Sequence, residues 1–326
     1  MIVTLTANPS VDRTMAIDGP IKPGEVFRAL SVGDEAGGKG VNVARAVAHA
    51  GIPAVAVLPA DDDDPLVKGL IAAGVHPINV PVGRPSRVNI TITEPDGTTT
   101  KFNDPGHSFD AAVFDELRDR LLGRSHGSDW VVLCGSLPPS APTAWYAELT
   151  EQLHAAGRRV AIDTSGAALV AAVGNSTRPD LLKPNAEELA SLTGDDPDRL
   201  ESDNDAAVDA ARRLVDDGVG VVLLTLGAEG AVLVTPEGTW IASPPPITLR
   251  STVGAGDASL AGYLLADLSG LGPADRLREA VAYGAAAASL PGSTMPRPSD
   301  LHRDGVVVTD LFNRSSSDQP TRNPRV

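Results

Sequence analysis

Ser251-Thr252-Val253-Gly254-Ala255-Gly256-Asp257 runs directly into Ala258-Ser259-Leu260-Ala261-Gly262-Tyr263-Leu264-Leu265-Ala266. Leu260, Tyr263, Leu264 and Leu268 fall on one helical face, which predicts a buried helix beginning near Asp257. Gly254 and Gly256 then form the turn at its start. A helix start carries unpaired N–H groups and the positive end of the macrodipole, and glycines let a ligand approach that backbone. The result is a cradle for an anion. Asp257 sits where the anion should go, and a carboxylate beside bound negative charge is unfavourable unless its capacity to accept a proton is needed. A lone Gly-x-Gly-Asp is more often an Asp capping a helix after a flexible loop, and that alternative stands for the motif by itself.

With 326 residues the chain can form one large α/β domain or two ordinary ones, either with an ample core. A net charge of −15 without any dense Lys/Arg run argues against nucleic acid as a partner. The few lysines, Lys22, Lys39, Lys68, Lys101 and Lys183, include two inside glycine- or proline-marked motifs. The single cysteine, Cys134, excludes an internal disulfide, and no basic, apolar leader follows Met1. The longest apolar stretch, Ala280 to Leu290, is too short to span a membrane, so a cytoplasmic protein is expected.

Upstream, Ile2 to Ala7 reads as a β-branched strand stopped by Asn8-Pro9, with Asp12 on its exit. Such exits are where parallel α/β proteins bind ligands, although a loop Asp is more often a turn former. Val11 to Val32 suggests short strands; Arg87 to Thr93 alternates strictly, turns at Pro95-Asp96-Gly97 and resumes at Thr98 to Asn103. Gly37-Gly38-Lys39-Gly40-Val41-Asn42 opens a helix with Val43, Ala46, Val47 and Ala50 on one face and Gly51 as its stop. It is not a Walker loop, which needs Ser or Thr directly after Lys, and it lacks dinucleotide-binding spacing. Asp61 to Asp64 is read as complementing the dipole of a following helix, with no chemistry assigned.

Asp129 to Cys134 is a buried strand running into Gly135-Ser136-Leu137-Pro138, where Ser136 can offer both N–H and hydroxyl to a phosphate. Cys134 reads as core. Further strands are expected at 159–163, 180–183, 219–225 and 231–235, with a covering helix through Trp145, Leu149 and Leu153. Asn185 and Glu188 share a helical face, placed either to orient water around magnesium or to form a capping box. Ser243 to Pro246 is a stiff connector to a strand before Ser251, and the small-residue helix 277–288 can lie close to a nucleotide or to another helix. Residues 311–326, polar and Pro-containing, are expected to be disordered.

Thr252 to Asp257 opening a small-residue helix resembles the second signature of the PfkB group of ribokinase-like sugar kinases, and Gly37 to Asn42 resembles the first. The likeness extends over about residues 1–300. It implies a three-layer α/β/α fold with a mostly parallel sheet over residues 1–310, and a small β-sheet lid from segments 12–33 and 86–104. By the same resemblance Gly254, Ala255 and Gly256 stabilise the transferring phosphoryl group and Asp257 takes the proton of the accepting hydroxyl. Asp12, Gly38 and Asn42 contact the sugar. Lys183, Asn185, Thr225, Gly227 and Gly230 line ATP, and Asn185 with Glu188 handles magnesium. The lid implies a homodimer, and a monovalent cation near Ser251 and Val253 is left open.

Within the family, the Lys39 loop, Arg87-x-Asn89 and Phe102 to Gly106 look most like the fructose-1-phosphate kinases. Tagatose-6-phosphate kinases share the lysine and are the closer rival; minor 6-phosphofructokinases typically carry glycine there and lysine where Val26 stands. Lys39 and Arg87 suit a phosphate dianion, Arg by a bidentate fork and Lys as a charge, and would be wasted on a neutral sugar. The expected reaction moves the γ-phosphoryl group of ATP to the 6-hydroxyl of fructose 1-phosphate. An Asp257 of ordinary pKa, ~3.9, suffices for such a loose transfer. A catalytically idle sugar-phosphate sensor is the rival from another class; Ala258, where relatives often have Ser, disturbs no assigned role.

Overall fold

The computed structural model describes residues 1–311. Its strands in chain order are β1 (Ile2–Thr6), β2 (Ser10–Ala16), β3 (Ser31–Gly37), β4 (Ala54–Pro59), β5 (His76–Val80), β6 (Arg87–Thr93) and β7 (Thr99–Phe102). They continue as β8 (Trp130–Cys134), β9 (Val160–Asp163), β10 (Leu181–Leu182), β11 (Val222–Thr225), β12 (Ala231–Thr235), β13 (Gly238–Ser243) and β14 (Val307–Asp310). Ten of them form one sheet in the order β14-β13-β12-β11-β10-β9-β8-β1-β4-β5. Neighbours from β5 through β11 are parallel, whereas β12, β13 and β14 are added antiparallel.

The sequence of β1 explains why this sheet is the middle layer. All five of its residues are buried, and Ile2 packs into one apolar cluster while Val3 and Leu5 pack into another. Alternate side chains therefore leave the sheet on opposite faces, and both faces are apolar because both are covered by helices. Helices Lys39–His49, Ala255–Leu268 and Pro273–Ala288 cover the first face; Ala111–Ser125, Trp145–Ala155, Gly166–Gly174 and Asn204–Asp216 cover the second. This is the expected three-layer arrangement.

The small-residue helix Pro273–Ala288 serves the packing of helices. A Cβ at Gly284 would stand 2.3 Å from the Ser259 Oγ on the neighbouring helix Ala255–Leu268. Close approach there is what the missing side chain permits.

The four remaining strands form a separate sheet, β3-β2-β6-β7. β2 and β3 are antiparallel, as are β6 and β7, and the two pairs join through a parallel β2–β6 contact that sets Asp12 opposite Asn89 and Ser10 opposite Arg87. The two hairpin-like segments thus pair as the resemblance implied, with β3 extending to Gly37, beyond the expected end of the first segment.

Three differences follow from packing that the sequence does not display. β4, β5, β13 and β14 were not assigned as strands from the sequence. No strand precedes Ser251: residues 244–252 run without one, since three consecutive prolines leave few donors for a sheet ladder. The key helix begins at Ala255, with Gly254 as its N-cap, so Gly256 lies in the first turn and not before it. Asp64 caps the helix Pro65–Ala72 through Leu66 N at 2.8 Å, and its other oxygen accepts from Ser86 N at 2.8 Å. The acidic run therefore pins a loop as well as complementing a dipole. The tail expected to be disordered lies outside the described residues from position 312 onward.

Candidate active site

Parallel strands deliver their exit residues to one edge of the sheet, and the chemistry gathers there. Asn8 follows β1, Ser136 follows β8, Asp163 ends β9, Lys183 and Asn185 follow β10, and Thr225 ends β11. The helix Lys39–His49, N-capped by Gly38, and the helix Ala255–Leu268 point their starts at the same edge.

Gly254 adopts the left-handed conformation, φ 78°, and no side chain caps the helix after it. A Cβ at Gly254 would stand 2.4 Å from Met295 Cε, so both the conformation and the close wall demand glycine. The backbone at Gly256 faces Lys183, whose Nζ would lie 3.3 Å from a Cβ placed there. The helix start at 254–256 is thus uncapped by any side chain and has the Lys183 ammonium beside it, an arrangement that suits an anion.

Asp257 is buried in the first turn, 7% exposed, and its Oδ2 accepts from Asn42 Nδ2 at 2.9 Å. Burial pushes its carboxyl up to about 6 and the charge of Asp163 adds to the rise, while Lys39, the Asn42 amide and Lys183 act against it. The ordinary value expected from sequence is corrected accordingly. A base of that strength is still ionised at neutral pH and is better matched to a hydroxyl proton than an ordinary carboxylate.

Asp163 is the residue that sequence reasoning missed. Lys39 Nζ lies 2.6 Å from its Oδ1 and Lys183 Nζ 3.1 Å from its Oδ2, with the carboxylate fully buried. Burial alone would raise the Asp163 pKa, but Lys183 and Lys39 together outweigh it and hold the group below its ordinary value. Lys39 also reaches Glu188 Oε1 at 3.3 Å. Burial works against the Lys39 charge, yet Asp163, Glu188 and Asp257 prevail and keep the ammonium well above its ordinary pKa. The available signal was a charged residue closing a buried apolar strand, which is rarely tolerated without partners.

A second group gathers around the lid. Asp12 Oδ1 accepts from Ser10 Oγ at 2.8 Å and from Asn89 Nδ2 at 3.0 Å. Arg87 donates to Asn8 O at 2.9 Å, to Pro9 O at 3.4 Å and to Asp104 O. Asn8 Nδ2 lies 3.4 Å from Ser136 Oγ, and Ser136 itself is exposed. The structure thus brings Asp12, Arg87, Asn89 and Ser136 into one neighbourhood, with Asn8 as a member not foreseen. The two cations expected to share one phosphate have different partners: Lys39 stands among carboxylates at the strand ends, Arg87 among carbonyls beside the small sheet.

On the far side, Asn185 and Thr225 form a backbone bridge and Thr225 N donates to Pro184 O at 3.0 Å. Gly227 begins a short 3₁₀ turn after β11 that Gly230 closes. Asn185 and Glu188 make the reciprocal capping box, with Asn185 Oδ1 accepting from Glu188 N at 2.7 Å and Glu188 Oε2 from Asn185 N at 2.9 Å. Among the described residues no group of three or more His, Cys, Asp and Glu side chains is arranged to hold a metal. A lone carboxylate suits Mg²⁺, which keeps most of its water and binds through one or two carboxylates plus substrate phosphates. Glu188 is already partnered at both oxygens, Oε2 by Asn185 N at 2.9 Å and Oε1 by Lys39 Nζ at 3.3 Å, which leaves its remaining lone pairs for a water of such an ion.

An uncapped helix start with a carboxylate in its first turn suits transfer of a phosphoryl group to an alcohol, the chemistry of a small-molecule kinase. The chain belongs to the pfkB family of carbohydrate kinases, whose model matches residues 5–300. It is 37% identical over 312 residues to a 1-phosphofructokinase of Rhodobacter capsulatus, covering 94% of this chain and 96% of that one. Phosphofructokinase-2 from Escherichia coli, solved in complex with substrates and products, superposes with a TM-score of 0.83 at 32% identity, covering 92% of this chain and 96% of that one. A further structure of that enzyme, in complex with potassium, superposes with a TM-score of 0.82 at 31% identity over the same shares of 92% and 96%.

Proposed function

We propose that residues 1–310 act as one kinase unit that transfers the γ-phosphoryl group of ATP to the 6-hydroxyl of fructose 1-phosphate, giving fructose 1,6-bisphosphate and ADP. The observation that carries this reading is the uncapped helix start at Gly254, with the ionisable carboxyl of Asp257 in its first turn. Asp257 takes the hydroxyl proton as the new O–P bond forms and the bond to the ADP oxygen breaks. The 254–256 backbone and the Lys183 charge stabilise the negative oxygens of the group in flight. Magnesium, when bound near Asn185 and Glu188, supplies charge neutralisation to the nucleotide phosphates.

Arg87, Asn89, Asp12 and Ser136 form the acceptor's seat with Gly38 and Asn42, and Arg87 grips the distal phosphate. Lys39 reaches the sugar phosphate by leaving Asp163, or serves the transferring end where it now stands. Lys183, Asn185, Thr225, Gly227 and Gly230 hold the nucleotide. The choice of fructose 1-phosphate rests on the name carried by the curated relatives. Potassium in the Escherichia coli structure supports a monovalent cation near Ser251 and Val253. No helix among the described residues is long and apolar enough to cross a membrane. Use of ATP and a phosphosugar supports a cytoplasmic enzyme.

Comparison of kcat/KM across fructose 1-phosphate, fructose 6-phosphate and tagatose 6-phosphate tests the acceptor. Fructose 1-phosphate is expected to lead by at least about tenfold, the worth of one charge-assisted contact. Preference for either 6-phosphate would reassign the distal seat.

A further inference from the structure

Arg45 lies outside every role assigned so far, yet it joins three parts of the site. It projects from the helix Lys39–His49 and its side chain is 11% exposed. Its NH2 pairs with Glu35 Oε2, on the lid strand β3, at 3.2 Å. Its NH1 is shared among Ala36 O at 2.9 Å, Ser293 O at 3.2 Å and Asn42 Oδ1 at 3.4 Å. Glu35 in turn accepts from Ser293 Oγ at 2.9 Å and Thr294 Oγ1 at 3.1 Å. The next residue along, Met295, is the wall against Gly254.

The contact with Asn42 has a chemical consequence. A guanidinium only donates, so the amide edge that faces Arg45 must be the carbonyl oxygen. The opposite edge, Nδ2, is then the one presented to Asp257, 2.9 Å away. With the amide reversed, its oxygen would face the carboxylate and oppose ionisation. We propose that Arg45 is a positioning residue for proton transfer, fixing the Asn42 amide so that Asp257 meets a donor, with Glu35 of the lid holding the guanidinium in place. A lid strand thereby helps to set the protonation of the base.

The inference rests on Asp257 being the base, and the groups around it are few. Asp163 faces it from the end of β9 and raises its pKa, while Lys39 and Asn42 from one helix and Lys183 from the segment after β10 lower it, Asn42 being the one of the three that acts through a hydrogen bond. Arg45 is faced by Glu35, and its charge is also felt by His49, one turn further along, which lies near Arg297 as well.

The test follows the Asp257 carboxyl itself by ¹³C NMR titration of the free protein, alongside pH profiles of kcat/KM. Arg45→Met should raise the Asp257 pKa by roughly half a unit to one unit, as loss of a bond to the charged form does. It should lower kcat on the order of tenfold while leaving the KM for ATP near that of the wild type. Asn42→Ala should produce the same rise, and the double variant no more than Asn42→Ala alone. Arg45→Lys, which keeps a donor, should recover part of the shift. Should Arg45→Met not fold, Glu35→Gln must give a smaller rise in the same direction. An unmoved titration in Arg45→Met or Glu35→Gln, or an additive double variant, overturns the proposal. If Asp257→Asn retains turnover the base assignment fails instead, and the titration, which needs no turnover, still decides the role of Arg45.

Discussion

As the proposed base, Asp257 answers to two demands, to stay charged so that it can accept a proton and to lie where water cannot compete. Burial and the Asp163 charge push its pKa up to about 6, with Lys39, Asn42 and Lys183 opposing. A raised carboxyl is protonated, and idle as a base, below that value. Turnover should therefore rise with pH through about 6 and level above it; a profile flat down to pH ~4 would mean that the ordinary carboxylate value holds. This shift was not legible in the sequence, because its main causes, burial and a charge on a distant strand, exist only once the sheet is assembled. The motif spelled out the base and the glycine turn. It was silent on Asp163, whose role depends on two lysines brought from separate elements. Lys39→Met separates its two duties: a loss confined to kcat places the ammonium at the transfer end, beside Asp163 and Glu188, and a rise confined to the phosphosugar KM places it at the distal phosphate.

At the scale of elements, the strand β9 matters for the carboxylate at its end. Asp163→Asn leaves Lys39 and Lys183 without their shared counter-charge. The expected loss is on the order of 3–5 kcal/mol at neutral pH, the usual cost of breaking a buried ion pair. Because the folded-state pKa of Asp163 is lowered, its contribution is present above the ordinary carboxylate value and is lost as pH falls through the folded one. Urea unfolding of the variant should therefore show the full deficit at pH 7 and a shrinking one only below about pH 4. Equal stability at pH 7 would show the triad to be energetically idle. Elements with long apolar runs, such as β1 and β8, were legible from residue type alone. The segment 244–252 was misjudged as leading to a strand because its prolines advertise extended backbone, and only the sheet ladder decides whether extension becomes pairing.

At the scale of the whole molecule, the lid carries apolar residues that a monomer would leave in water. Val26 is 92% exposed, Leu30 68%, Val32 57% and Phe102 57%, all in or beside the four-stranded sheet. We propose that a second copy of the chain covers this face, the homodimer that the resemblance implied. Leu30→Asp with Val32→Asp should yield monomers by sedimentation equilibrium without loss of folded structure, since both side chains are exposed; an unchanged mass would remove the lid from the interface. The pairing of β2 with β6 was beyond the sequence, which shows two alternating segments and no partner. Everything proposed for the site turns on Asp257 deprotonating a sugar hydroxyl as phosphate is transferred onto it. The most direct measurement is ADP release with fructose 1-phosphate by the wild type and by Asp257→Asn, with ATP affinity read in parallel. Turnover by the wild type, a kcat in the variant lower by about 10²- to 10⁴-fold, and nearly equal ATP binding are expected. Turnover in the variant close to that of the wild type would contradict that role for Asp257.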